Sequence, residues 1–171
     1  MSKFSTIQIF MKCIEVILKN EGGYVWNKDD PGGETNMGIA RLFYPDLDIK
    51  NLTRNQAIEI YHEDYWNKMN LLGIHDETLV LQIFDMGVNT RHIKWEFRTA
   101  LRMIQRLVKA EADGIIGPIT RKLINNYPEP EELVDLYKRE RKKYYCALAK
   151  TKPHMQIFLV GWLDRIENTK F

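Results

Sequence analysis

The sequence predicts a mainly α fold. Apolar residues recur at i, i+3 and i+4 over most of the chain, which is the spacing that places them on one face of a helix. Proline and glycine stand between these apolar stretches, at points where helices would begin and end. No stretch alternates apolar and polar residues over the length of an ordinary strand. We therefore expect helices throughout, with at most a short β-hairpin in the loop after the first helix.

The first half of the chain is predicted to hold three helices and one bent loop. A helix over residues 4–20 ends at the glycine pair 22–23. Proline and glycine between residues 24 and 39 forbid a long helix there and permit a hairpin or a bent loop. Thr53 and Gln56 fit a capping box that starts a helix ending near Asn67. A further helix is predicted from about Glu77 to Asn89.

The second half has the clearest helical periodicity in the sequence. Apolar residues follow the helical template without a gap from Ile93 to Val108, which predicts a core helix. Pro118, Pro130 and Pro153 each suit the first turn of a further helix. The best boundary lies between Thr90 and Ile93. We predict two regions, 1–90 and 91–171, that pack as one body because their connections are short.

Composition and charge restrict the functional class. Of 171 residues, 44% are hydrophobic and 28% are charged, a balance typical of a globular chain. The formal net charge of +2 is too small to indicate nucleic-acid binding. The stretch from Lys138 to Phe171 is more basic, with nine Lys and Arg against three Asp and Glu. This stretch would favour an anionic surface, although a solvated helix face explains it equally well.

The sequence lacks the motifs of membrane-spanning, metal-binding and phosphate-binding proteins. No apolar run reaches the ~20 residues of a membrane-spanning helix, so we expect no membrane insertion. Gln8, Lys12 and Glu15 interrupt the apolar N-terminal stretch, which is therefore read as a folded helix and not as a signal peptide. The four histidines lack metal-ligand spacing, and the glycine pairs lack the context of a phosphate-binding loop. We expect no metal and no cofactor.

Glu21 stands where the first helix meets the glycine-rich loop. It continues the apolar face of Phe10, Ile14 and Ile17, so its side chain is expected to be partly desolvated. Desolvation disfavours an ionised carboxylate. A carboxylic acid that keeps its proton near neutral pH is the proton donor required for cleavage of a glycosidic bond. Spacing alone leaves a second interpretation open, in which Glu21 is a solvated residue of the last helical turn.

The loop after Glu21 supplies further carboxylates, which a glycosidase needs in addition to its acid. Glu21, Asp30 and Thr35 follow the pattern Glu-x8-Asp-x4-Thr, which resembles the active-site arrangement of phage-type lysozymes. The longer run from Glu21 to Ile39 resembles glycoside hydrolase family 108. Members of that family are lysozyme-like N-acetylmuramidases of phages and bacteria, often labelled secretion activators.

The resemblance extends over nearly the whole chain. Residues 51–66 and 85–89 resemble the second and third motifs of the family, and residues 113–120 resemble the peptidoglycan-binding segment that usually follows. Residues 158–165 resemble its closing helix. The sequence departs from the family pattern at Met86-Gly87 and at residues 90–92, both beside the expected cleft.

The resemblance implies a lysozyme-like fold and a muramidase that cleaves the β-1,4 bond between N-acetylmuramic acid and N-acetylglucosamine. Glu21 would be the general acid. Asp30 would be the second catalytic carboxylate, or it would form an Asx turn before Pro31. Thr35 would orient a water molecule, or it would cap a short helix.

Substrate contacts are also implied. Asp85 and Asn89 share a helix face and would reach sugar hydroxyl or acetamido groups, or form a buried pair that holds backbone groups. Tyr24 and Trp26 offer flat apolar faces on which sugar rings pack. Two further aromatics at helical spacing are expected in the core instead, namely Tyr65 and Trp66.

Peptidoglycan glycan strands are the predicted partner, and nucleic acid is not. The enzyme would be made in the bacterial cytoplasm and would act in the periplasm or cell wall, with a holin or a secretion system for export. The main alternative is a non-catalytic wall-binding or secretion-accessory protein on the same fold. A nucleic-acid binder that uses the basic run 138–143 is a third class, although we interpret that run as a solvated helix face.

Overall fold

A computed structural model describes residues 3–26, 33–90 and 97–171 of the chain. Within these ranges the protein is mainly helical, as predicted, and contains one small sheet. The α-helices and strands, in chain order, are α1 (Lys3–Glu21), β1 (Val25–Trp26), β2 (Glu34–Asn36), β3 (Ile39–Ala40), α2 (Arg54–Tyr61), α3 (Asn67–Met69), α4 (Glu77–Asn89), α5 (Phe97–Leu107), α6 (Pro118–Asn125), α7 (Pro130–Thr151) and α8 (Leu159–Asn168).

Helix α1 delivers Glu21 to its place at the edge of the core. Cys13, Ile14 and Ile17 are fully buried on one face of this helix. Each fully buried Ile side chain contributes about 1.5–3 kcal/mol, so this face anchors the helix firmly. Gly22 has φ +72°, a left-handed conformation that glycine adopts without strain and that ends the helix directly after Glu21.

The loop after α1 folds into a small antiparallel sheet. Strand β1 pairs with β2 through Val25 and Thr35, and β2 pairs with β3 through Asn36 and Ile39. The sheet has one strand more than the predicted hairpin among the residues that the structure describes. Strands of two or three residues are too short for an alternating pattern to be visible in the sequence.

The predicted capping box is present at the start of α2. The Thr53 hydroxyl accepts a hydrogen bond from the Gln56 backbone, and the Gln56 side chain accepts one from the Thr53 backbone N–H at 2.9 Å. The helical path continues beyond α2 through a π-helical turn, His62–Trp66, and through α3. Tyr65 and Trp66 are core residues, as expected.

Helix α4 is the central element of the core, since ten of its thirteen residues are buried. Its N-cap is Asp76, whose side chain accepts a hydrogen bond from the Leu79 N–H at 2.8 Å. Gly87 permits close packing, because a Cβ there would lie 2.5 Å from Cε of Met69 and 3.3 Å from Cβ of Phe97. The glycine at this departure from the family pattern therefore has a packing role.

Helices α5, α7 and α8 surround α4 and complete the core. One hydrophobic cluster includes buried residues from both predicted regions, 1–90 and 91–171. Pro118 and Pro130 lie in the first turns of α6 and α7, as predicted, and Pro153 begins a 3-10 turn, Pro153–Phe158, that leads into α8. The predicted start of the core helix at Ile93 lies outside the described residues.

Candidate active site

The side chain of Glu21 lies in a partly buried position between α8 and the sheet. Only 18% of it is exposed, and Oε1 accepts a hydrogen bond from Nη2 of Arg165 at 2.6 Å. The interpretation of Glu21 as a solvated last-turn residue therefore does not describe its position.

The turn between β2 and β3 contacts the other side of the Glu21 carboxyl. Met37 and Gly38 both have positive φ, at +47° and +75°. A Cβ on Gly38 would lie 2.7 Å from Oε2 of Glu21 and 2.3 Å from the hydroxyl oxygen of Tyr61. The Tyr61 hydroxyl donates a hydrogen bond to the carbonyl of Met37 at 3.0 Å. Helix α2 thereby holds the turn against the carboxyl.

Gly38→Ala is expected to damage both stability and the placement of Glu21. The new methyl group would require Tyr61, which is fully buried, or Glu21 to move. The positive φ alone costs about 1–3 kcal/mol for a residue other than glycine. Chemical denaturation should show a loss of at least this size.

Gly161→Ala on α8 is the matched control, because a Cβ there meets no atom within 4 Å. Alanine is favoured over glycine inside a helix by about 1 kcal/mol, so this variant should be neutral or slightly stabilised. Equal stability of the Gly38 and Gly161 variants would contradict the close packing at Gly38.

Arg165 also connects Glu21 to a buried carboxylate. Nε and Nη2 of Arg165 lie 2.9 and 2.8 Å from Oδ1 of Asp85, and Nη2 of Arg141 lies 2.6 Å from Oδ2. Asp85 and Arg141 have no exposed side-chain surface. Burial alone would raise the pKa of Asp85, but Arg165 and Arg141 outweigh it and hold that pKa below its usual value. Burial likewise opposes the charge of Arg165, but Asp85 and Glu21 hold its pKa above the usual value.

The predicted sugar contact of Asp85 does not fit this geometry, because a fully buried carboxylate has no surface for a sugar. The buried alternative describes its position, although its partners are arginine side chains and not backbone groups. Asn89 lies one turn further along α4 and is partly exposed. Its amide donates to the Tyr145 hydroxyl at 2.6 Å.

Asn89 lines a groove beside the Glu21–Arg165 pair. The groove has a volume of about 430 Å³ and combines amide side chains with aromatic rings. Trp162 forms part of its wall and stacks on Tyr145 with ring centroids 4.8 Å apart. Amides and flat rings are the groups that bind sugars, so the groove has suitable chemistry next to Glu21. The amides on its lining are Asn20, Asn89 and Asn168.

The predicted site residues on the sheet have different environments. Thr35 lies within β2, so it does not cap a helix. Trp26 is 60% exposed on β1, and the Tyr24 hydroxyl donates to Oε1 of Glu34 at 3.1 Å. Asp30, the predicted second carboxylate, lies outside the described residues. The structure thus brings Glu21 together with the sheet turn and with α8, but it does not describe the position of Asp30.

A hydrogen bond from Arg41 favours the ionised form of Glu34, another carboxylate of this region. Nε of Arg41 donates to its Oε2 at 2.8 Å, and this bond is the main reason why the pKa of Glu34 lies below its usual value. Glu34 is therefore ionised near neutral pH.

The predicted functional residues do not include Arg141, Arg165 or Tyr61. The prediction that the basic run 138–143 is a solvated helix face is wrong for Arg141, because this arginine is fully buried. A signal was present, because Arg141 stands four residues after Tyr137 and four before Tyr145, on the same buried stripe. No comparable signal pairs Arg165 with Glu21, which lies 144 residues earlier.

Comparisons with known proteins identify two segments. Residues 14–90 match the family model described as glycosyl hydrolase 108, and this hydrolase segment contains Glu21, the sheet and α4. This first segment is therefore similar to the glycosyl hydrolase 108 family. Residues 99–167 match the model described as a predicted peptidoglycan domain, and we call these residues the peptidoglycan segment.

A solved structure supports the same assignment. The chain is similar to Brucella abortus SagA, with 26% sequence identity, a TM-score of 0.75, and coverage of 94% of this chain and 90% of SagA. No protein of curated function matches the chain significantly. Together, the two family matches support a glycosidase role related to peptidoglycan, with peptidoglycan as a partner.

Two features are absent from the parts of the chain that the structure describes. None of the helices there is long and apolar enough to span a membrane. No group of three or more His, Cys, Asp and Glu side chains in those parts is arranged to hold a metal ion.

Proposed function

We propose that the protein is a muramidase that cleaves the β-1,4 bond between N-acetylmuramic acid and N-acetylglucosamine, with Glu21 as the general acid. The observation that carries the proposal is the position of Glu21 within the hydrolase segment. Its carboxyl is partly buried at the end of α1, between Arg165 and the Gly38 turn, and it adjoins a groove with sugar-binding chemistry.

In the proposed reaction, protonated Glu21 donates its proton to the bridging oxygen while the bond from that oxygen to the anomeric carbon breaks. The sugar develops oxocarbenium character, and water supplies the new hydroxyl group. Arg165 then stabilises the carboxylate that remains, because an adjacent cation favours the charged form. Transfer of a proton from water restores the acid.

Asp30 is the proposed second carboxylate and Thr35 its polar neighbour. We expect Asp30→Asn and Thr35→Ala each to lower turnover, Asp30→Asn more strongly, because it removes a negative charge that would stabilise the oxocarbenium-like transition state. Steady-state hydrolysis of soluble glycan chains would measure both effects. Turnover near wild type for Asp30→Asn would move this role to Asp29 or to Glu34.

We propose Asn89 and Trp26 as substrate contacts on opposite sides of Glu21. Asn89 lines the groove beside α8, where its amide would bond to sugar hydroxyl or acetamido groups. Trp26 presents an exposed ring on β1, where a sugar ring would pack, with Tyr24 next to it. Because the substrate lies in the periplasm or cell wall, we also propose that the protein reaches it through a holin or a secretion system.

The alternative is a non-catalytic wall-binding protein. Measuring binding and cleavage on the same substrate distinguishes it from a muramidase. Purified cell walls are incubated with the protein, sedimented, and assayed for bound protein and for soluble glycan fragments. We expect binding together with steady release of fragments. Binding without any release would contradict the muramidase proposal and support the binding-only alternative.

A further inference from the structure

Four charged side chains form one continuous cluster across the two matched segments. Glu21 and Asp85 belong to the hydrolase segment, while Arg141 and Arg165 belong to the peptidoglycan segment. The charges alternate along the cluster, in the order Glu21, Arg165, Asp85, Arg141. Each contact therefore joins one segment to the other.

The cluster becomes more buried with distance from Glu21. The exposed side-chain fraction falls from 18% at Glu21 to 13% at Arg165, and it is zero at Asp85 and Arg141. Gln82 closes the buried end, because its Oε1 accepts from Arg141 and its Nε2 donates to the carbonyl of Thr169 at 2.7 Å, just after α8. Asp85 on α4 contacts Arg165 directly, and Arg141 on α7 contacts Asp85 in turn. Both helices therefore help to fix Arg165, whose Nη2 donates to Glu21.

We propose that Arg165 is the positioning residue for the Glu21 carboxyl, and that Asp85 and Arg141 fix Arg165 in place. The peptidoglycan segment then completes the active site of the hydrolase segment in addition to any contact that it makes with the wall. This inference rests on the proposed role of Glu21 as the general acid.

The arrangement suits a carboxyl that gains and loses a proton. When Glu21 is ionised, Arg165 neutralises it. When Glu21 is protonated, Arg165 keeps its contacts of 2.8 and 2.9 Å with Asp85, so the arginine is never left in a buried site without an opposite charge. A guanidinium group suits this task, since its planar fork can donate to two carboxylates at once.

The test compares Arg165→Lys and Arg165→Met with wild type and with Glu167→Gln, all in the full chain. Glu167 lies on α8 with Arg165, forms a half-exposed ion pair with Lys142 of α7 and is outside the cluster, so it is the matched control. The measurements are kcat and KM for hydrolysis of soluble glycan chains, each expressed per folded molecule, with the folded fraction determined by near-UV circular dichroism. Misplacement of a reacting group by about 1 Å lowers turnover by about 100-fold.

We expect a fall of this order in kcat for Arg165→Met, with KM little changed. Arg165→Lys keeps the charge beside Asp85 and is the informative variant if the methionine variant fails to fold. It should also lose kcat while its KM stays near that of wild type, because one ammonium group cannot reproduce both arms of the fork.

A wild-type kcat in folded Arg165→Lys would overturn the inference. A loss of activity that unfolded protein explains entirely would overturn it as well. If wild type and Glu167→Gln cleave the substrate and Glu21→Gln does not, such a result removes only the role of Arg165. Absence of cleavage by wild type would instead remove the proposed function, and this inference with it.

Discussion

Glu21→Gln is expected to lower the rate of glycan cleavage by roughly 10²–10⁴-fold, the usual contribution of general acid catalysis. Glutamine keeps the shape of glutamate, and its amide oxygen can still accept the hydrogen bond from Arg165. It has no acidic proton to give to the leaving oxygen. The change should therefore remove the chemistry without removing the fold, and clearing of a wall suspension measures the effect directly.

The matched control is Glu15→Gln, which removes another carboxylate from α1. Glu15 forms an exposed ion pair with Arg54, the first residue of α2, and this type of pair contributes little to stability. Its activity should equal that of wild type. If Glu21→Gln clears the suspension as fast as Glu15→Gln does, Glu21 is not the acid.

Asp85→Asn is expected to cause the largest loss of stability among the variants considered. The change removes the charge that two buried arginines share, and breaking a buried ion pair in this way costs about 3–5 kcal/mol. Arg165 would keep Glu21 as a charged partner, whereas the partners left to Arg141 among the described residues would be neutral, namely Gln82 and the new asparagine. Chemical denaturation near neutral pH should show the full loss.

The pH dependence of this loss has a definite sign. The pKa of Asp85 lies below its usual value in the folded protein, so the carboxylate stabilises the fold at pH above the unfolded pKa of about 3.9. That contribution is lost as the pH falls through the folded pKa, which is lower still. The difference in unfolding free energy between wild type and Asp85→Asn should therefore be constant from neutral pH to about pH 5 and narrow at more acidic pH.

Glu77→Gln on the same helix is the control for Asp85→Asn. Glu77 forms an exposed ion pair with Lys12, which is screened by solvent, so stability should barely change. A loss for Asp85→Asn as small as that for Glu77→Gln would contradict the buried cluster.

The helices were predictable because their signals are local. Helix α4 begins at Glu77 and ends at Asn89 as predicted, since an N-cap at Asp76 and a helical apolar pattern specify it within thirteen residues. The same holds for the capping box at Thr53. The π-helical turn His62–Trp66 was not predicted, because one extra residue per turn leaves the apolar pattern almost unchanged over so short a stretch.

Only those features of the candidate site that depend on neighbouring residues in the sequence were predictable. The position of Glu21 at the end of an apolar helix face identified it as a partly desolvated carboxyl, and the structure places it so. Its contact with Arg165 spans 144 residues, and the contact between Asp85 and Arg141 spans 56. No periodicity or cap specifies such distant pairs, so the sequence leaves Asp85 open between a sugar contact and a buried pair, and it predicts Arg141 on a solvated helix face.

The sugar at the new reducing end distinguishes a muramidase from other enzymes that cleave the wall. Purified cell-wall glycan is digested with wild-type protein, the new reducing ends are reduced with borohydride, and the reduced sugar is identified by mass spectrometry. A muramidase should leave reduced N-acetylmuramic acid, and Glu21→Gln should leave none above background. Reduced N-acetylglucosamine, anhydro-muramic acid without a reducing end, or no new ends with wild type would contradict the account.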